Sequence, residues 1–289
     1  MCFGVIIAPM IDNDKLTYYL AAWNLSNPQF LTQTATSHIY TVTHDAETVV
    51  LKLLSRSETE EQTGALALRY FDGHGAVRLL RHDEGAHLIE YADGDELVTL
   101  VERGEDENAT RIIAQVIKQF HAVSQDAPRD GLFLLDRWFG ELFNKAAADR
   151  QAGVESIYVR GASLARQLLA DQREVRVLHG DIHHRNIRQS SRGWLAFDPK
   201  GVVGERTYDC ANTLCNPFPW TEIVHNETRL LINAAILADA LEIDLPRVLA
   251  FTYAYACLSA SWSLSIGAED AVQWALNVAA IVEPHIDLP

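Results

Sequence analysis

The 289 residues predict an α+β chain of two lobes, a small sheet-rich one followed by a larger, mainly helical one. Three observations carry this expectation. Period-2 alternation of apolar residues is confined to the first third of the chain, helical spacing dominates from about residue 109 onward, and one non-helical stretch, Val175 to Asp198, interrupts the helices. No internal repeat, low-complexity tract or long linker cuts the sequence. The polar Ala92-Asp-Gly-Asp95 is the natural junction, which gives 1–92 and 93–289 as the lobes.

Ser37-His-Ile-Tyr-Thr-Val-Thr43 alternates as a half-buried strand, Asp45-Ala-Glu47 turns the chain, and Thr48-Val-Val-Leu-Lys-Leu-Leu54 returns it as a hairpin. Ser57-Glu-Thr-Glu-Glu61 then opens a helix, since acidic side chains suit the positive end of the helix dipole, and Asp72-Gly73 ends it after Phe71. Short strands are expected at Ala76–Arg81 and His87–Tyr91. Helices follow at Ala109–Val123, Leu132–Ala148, Val154–Asp171, Glu227–Leu241, Leu245–Ile266 and Ala268–Ile281. The uncharged run Val248–Ala268 has the length of a membrane span, but five hydroxyl side chains and two tyrosines make it a core helix. The tryptophans 138, 194, 220, 262 and 274 read as packing residues.

Lys+Arg 24 against Asp+Glu 39 leaves a net charge of -15. Such a surface argues against nucleic acid or an anionic membrane, whose phosphates need basic partners, and is compatible with a small cationic ligand. Residues 1–92 hold 6 Lys+Arg and 11 Asp+Glu, leaving 18 and 28 beyond, so the larger lobe carries -10 against -5. Cys2, Cys210, Cys215 and Cys257 match no zinc or redox spacing, as in a protein of the reducing cytoplasm. The apolar Cys2–Ala8 lacks a preceding basic residue and stops at Pro9, so it reads as mature protein.

The chemistry concentrates in His179-Gly-Asp-Ile-His-His-Arg-Asn186, followed by a polar Ser190-Ser-Arg-Gly193 turn and Trp194-Leu-Ala-Phe-Asp198. With a turn centred on Arg192, Asn186 and Asp198 face each other across a hairpin, roughly 5 Å apart at Cβ. A carboxamide and a carboxylate so placed are oxygen ligands suited to Mg²⁺. Asp181 precedes Asn186 by the D-x4-N spacing of the kinase catalytic loop, where Asp takes the proton of the attacking hydroxyl. A zinc reading of His179, His183 and His184 would need a helix that Gly180 and the following strand spoil.

These residues, with Phe197-Asp-Pro-Lys-Gly201, Gly204-Glu-Arg-Thr-Tyr-Asp209 and Asn216-Pro217, resemble the aminoglycoside phosphotransferase family, most closely its streptomycin and hydroxyurea phosphotransferase branch. The resemblance implies a protein-kinase-like bilobal fold and transfer of the ATP γ-phosphoryl group to a small-molecule hydroxyl, streptomycin-like or hydroxyurea-like. A same-fold metabolite kinase or a catalytically weakened nucleotide-binding protein is the alternative. It further implies Asp181 as base, Asn186 and Asp198 as Mg²⁺ ligands, and Lys52 on the α- and β-phosphates. Asp209 would brace the loop, and Glu90-Tyr-Ala92 would offer backbone groups to adenine. Two departures stand out. The phosphate-covering stretch Thr32-Gln-Thr-Ala-Thr-Ser37 has no glycine, leaving hydroxyls such as Ser37 and backbone N–H groups. The helix glutamate expected to pair with Lys52 is Gly64, while Glu61, one turn earlier, shares its face. Lys200 reads equally as a cleft residue or a solvated loop lysine.

Overall fold

The computed structural model describes residues 13–55, 59–123 and 130–287. The apolar Cys2–Ala8 and the start of the Ser57 helix signal lie outside them. The first lobe runs α1 (Asn13–Ala22), β1 (Ser26–Gln33), β2 (Ser37–His44), β3 (Glu47–Leu54), α2 (Thr59–Phe71), β4 (Leu79–His82) and β5 (Ala86–Glu90). Its strands form one antiparallel sheet in the order β1-β2-β3-β5-β4. Tyr19 and Trp23 of the α1 region cover one face, burying Val49, Leu51 and Leu53 of β3 with Tyr40, Val42 and Leu88. Because side chains alternate along a strand, Lys52 must then point to the other face, where it pairs in register with Ile39 and His87.

The second lobe begins with α3 (Val98–Glu102) and α4 (Asp106–His121), then β6 (Phe133–Leu134), α5 (Leu135–Trp138), α6 (Gly140–Gln151) and α7 (Ile157–Ala170). The interruption between helices holds β7 (Val175–Leu178), β8 (Ile187–Ser190), β9 (Gly193–Ala196) and β10 (Val202–Glu205). It ends with α8 (Tyr208–Leu214), α9 (Thr221–Val224), α10 (Glu227–Leu241), α11 (Leu245–Ser265) and α12 (Glu269–Val282). Helix α11 is the central post, packed by α6, α7, α8, α10 and α12, and twelve of its residues are buried. No helix among the described residues is long and apolar enough to cross a membrane.

The structure corrects the sequence reading at four points. The first third carries a second helix, α1, whose Leu16, Tyr19, Leu20 and Trp23 show the helical spacing that strand patterning nearby obscured. It also carries β1, an exposed edge strand with two register shifts, which has no clean alternation to read. The single helix expected over Leu132–Ala148 is broken, because Phe133 and Leu134 pair with Val202 and Val203 before α5 and α6 begin. The β8–β9 turn has two residues, Ser191 and Arg192, so Asn186 lies opposite Phe197, whose N–H it accepts at 3.0 Å, and Asp198 falls one position beyond.

Candidate active site

Lys52 reaches both of its carboxylate neighbours. Its Nζ lies 2.6 Å from Glu61 Oε2 and 2.7 Å from Asp198 Oδ1. Burial alone would lower the ammonium, but the two carboxylates outweigh it and hold it above its ordinary value. Glu61 is fixed in turn by Thr36, whose Oγ1 donates to Glu61 Oε1 at 2.6 Å. Gly64 has a steric reason. A Cβ there would stand 2.3 Å from the Pro199 carbonyl oxygen, so α2 can lie against the Asp198-Pro199-Lys200 segment only through a glycine. The pairing role expected of position 64 therefore belongs, by geometry, to Glu61.

On the opposite wall, β7 ends at Leu178 and Gly180 turns the chain with φ of 80°, a conformation that suits glycine. Asp209, near the start of α8 and 1% exposed, accepts the N–H groups of His179 (3.1 Å) and Gly180 (2.8 Å) and contacts His121 Nε2 at 2.9 Å. This one carboxylate ties loop, α4 and α8 together. Asp181 projects from the braced loop. Its Oδ1 accepts from Asn212 Nδ2 at 2.7 Å, while Asn186 Nδ2 donates to its backbone oxygen at 2.9 Å. Asn212 cannot flip, since its own Oδ1 accepts from Tyr255 at 2.7 Å and from Asn216 at 2.8 Å.

Asp198 sits between two lysines, Lys52 on Oδ1 and Lys200 on Oδ2 at 3.1 Å. Burial would raise its pKa, but Lys52 and then Lys200 override this and hold the carboxyl well below the usual range. Its φ of 61° is a left-handed conformation that a non-glycine residue rarely adopts. Beside these groups opens a cavity of about 750 Å³ lined by Asp181, Lys200, Glu60, Glu141, Arg137, Trp138, Trp262 and Tyr255 among others.

The structure thus brings Lys52, Glu61, Asp181, Asn186 and Asp198 into one cleft. Ser37 is buried at the start of β2, its hydroxyl engaged with that of Thr34 at 2.8 Å inside the turn. Glu90 closes β5 and forms a bidentate pair with Arg192, while its N–H donates to the Arg78 carbonyl at 2.9 Å. Ala92 is buried just beyond. Sequence reasoning missed Asn212, although it stands three residues after Asp209 and so shares a helix face with it. It also assigned Trp138 and Trp262 to packing alone, whereas they form an edge-to-face pair, 5.3 Å between centroids, on the cavity wall. Lys200 is a cleft residue.

The family model described as aminoglycoside/hydroxyurea antibiotic resistance kinase matches residues 22–267. The chain belongs to this family. It is 34% identical to the streptomycin 3''-kinase of Klebsiella pneumoniae over 262 residues, covering 89% of this chain and 95% of that one. It is 35% identical to the hydroxyurea phosphotransferase of Kitasatospora aureofaciens over 194 residues, 62% of this chain and 53% of that one. In fold it is similar to amicoumacin kinase hAmiN, with a TM-score of 0.67 at 14% identity over 94% of each chain. It is likewise similar to an aminoglycoside phosphotransferase APH(4)-Ia complex with ADP and hygromycin B, with a TM-score of 0.64 at 16% identity over 92% and 97% of the two chains. The kinase-like bilobal fold stands as expected from the sequence. This family member is an ATP-dependent phosphotransferase acting on the hydroxyl of a small molecule.

Proposed function

We propose that the enzyme phosphorylates a streptomycin-like, cationic aminoglycoside, with Asp181 as the base and Lys52 on the α- and β-phosphates. Residues 1–92 would cover the nucleotide, with Ser37 at the β1–β2 turn and the backbone of Glu90 and Ala92 at the hinge. Residues 93–289 would hold the acceptor. The observation that carries this reading is the convergence of the Lys52–Glu61–Asp198 cluster with Asp181 and Asn186 beside an open cavity. Asp181 would orient the acceptor hydroxyl and take its proton as the oxygen forms its bond to the γ-phosphorus. The bond from that phosphorus to the bridging oxygen breaks, and ADP leaves.

The donor set fits Mg²⁺. Asp198 is held ionised, and Asn186, having committed Nδ2 to Asp181, retains Oδ1 as a ligand atom. Bound there, Mg²⁺ would neutralise phosphate charge. On the cavity wall three carboxylates, Glu60, Glu141 and Asp181, outnumber the two cations, Arg137 and Lys200, and stand among four aromatic side chains, which supports a bulky cationic acceptor. Hydroxyurea, the second reading, is favoured by the matched relative but would fill only a small part of 750 Å³. The buried, unbridged Cys210, Cys215 and Cys257 support a cytoplasmic location.

An ATP-consumption assay with streptomycin, hydroxyurea and phosphorylatable metabolites identifies the acceptor. Asp181→Ala is expected to lower kcat by about 10³-fold or more while binding of a non-hydrolysable ATP analogue survives. Turnover retained in that variant would overturn the assignment.

A further inference from the structure

The position of Lys200 assigns it a task beyond neutralising Asp198. Its Nζ is 3.1 Å from Asp198 Oδ2 and 3.8 Å from Asp181 Oδ2, so it spans the gap between the proposed metal carboxylate and the proposed base. Lys52 occupies the other oxygen of Asp198 and comes from the opposite lobe. The two ammonium groups therefore mark the two ends of one path. A phosphate chain that starts on Lys52 and must present its last phosphorus to a hydroxyl at Asp181 ends beside Lys200.

The backbone of Lys200 is fixed from both sides. Its N–H donates to the His179 carbonyl at 2.7 Å, and its own carbonyl accepts from Thr63 Oγ1 of α2 at 2.7 Å. The next residue, Gly201, has φ of 68° and would place a Cβ 2.2 Å from the Thr63 carbonyl oxygen. Only the side chain is left to move, and it lines the acceptor cavity. A cation anchored in this way is aimed before the reaction begins, which is how fixed charges stabilise a transferring phosphoryl group.

We propose that Lys200 grips the γ-phosphate and neutralises its oxygens during transfer, as a charge and not as a proton donor. The proton still passes from the acceptor hydroxyl to Asp181, and ADP carries away the electrons of the broken phosphorus–oxygen bond. The proposal rests on the phosphotransfer reading above, and its test has an arm that needs no acceptor.

Calorimetric titration of the full chain with ADP and with AMP-PNP, both with Mg²⁺, reads the γ-phosphate contact directly. In Lys200→Met, ADP affinity should stay within about twofold of wild type while AMP-PNP affinity falls about tenfold. With the acceptor identified above, kcat should fall about 100-fold, and Lys200→Arg should recover part of both losses. Unchanged ADP affinity also shows that the Met variant is folded; if it is not, Lys200→Gln takes its place. Equal weakening of both nucleotides, or weakening of neither, overturns the proposal. If wild type phosphorylates no tested acceptor, the acceptor reading falls, while the ADP and AMP-PNP comparison still decides Lys200.

Discussion

Lys52 and Glu61 are each 12% exposed at the side chain, which separates their ion pair from surface pairs that solvent screens to little value. Taking one partner away leaves a charge in a partly desolvated site. Glu61→Ala frees Lys52 to lean wholly on Asp198, the carboxylate proposed for Mg²⁺, and removes the acceptor of the Thr36 hydroxyl. The expected outcome is a fall in kcat/KM for ATP of about 10- to 100-fold, measured by steady-state kinetics at varied ATP. Glu61 was readable as a candidate because it lies one helical turn before position 64. That it touches Lys52 depended on how α2 settles against β3, which no local spacing encodes.

At the scale of elements, α2 is the part whose placement matters most. It presents Glu61 to β3, lends Thr63 to the Lys200 carbonyl, and approaches Pro199 through Gly64. Gly64→Ala would force either the helix or the Asp198–Lys200 segment to shift, since carbonyl oxygens do not yield 2.3 Å contacts. Overpacking of this kind costs about 1–3 kcal/mol, which urea denaturation would register as a lower midpoint. Activity should fall as well, because the displaced segment carries both Asp198 and Lys200. A glycine inside a helix reads from sequence as a weak point; only the neighbouring backbone shows it to be a point of close approach.

For the whole molecule, buried histidines make stability fall in acid, and His87 contributes one part of that fall. His87, next to Lys52 in the sheet register, is pushed down to about 4 by burial first and by the Lys52 charge second. The unfolded chain protonates this group near its ordinary 6.5, so between 6.5 and about 4 the unfolded state holds the extra proton. Stability is full above that window and declines as pH falls through it. His87→Leu removes the titrating group, and its melting temperature should drop less between pH 7 and 4 than that of wild type. An equal drop in the two proteins would show that His87 does not set the acid limb.

By itself the sequence determined what local rules govern. Alternation along β3 placed Lys52 on the face opposite Leu51 and Leu53, glycine at 180 allowed the loop to turn, and the D-x4-N spacing joined Asp181 to Asn186. The same rules left β1 unread, since an exposed edge strand has no buried face to pattern it. Tertiary structure alone decided which distant groups meet. The Lys52–Asp198 contact joins residues 146 apart, and the Asn212–Asp181 contact residues 31 apart. The cavity wall likewise draws Glu60 from α2, Trp138 from α5, Glu141 from α6 and Trp262 from α11. Periodicity fixes the face on which a side chain stands, but the docking of elements fixes what that face meets, and the cavity proposed for the acceptor is built from such meetings.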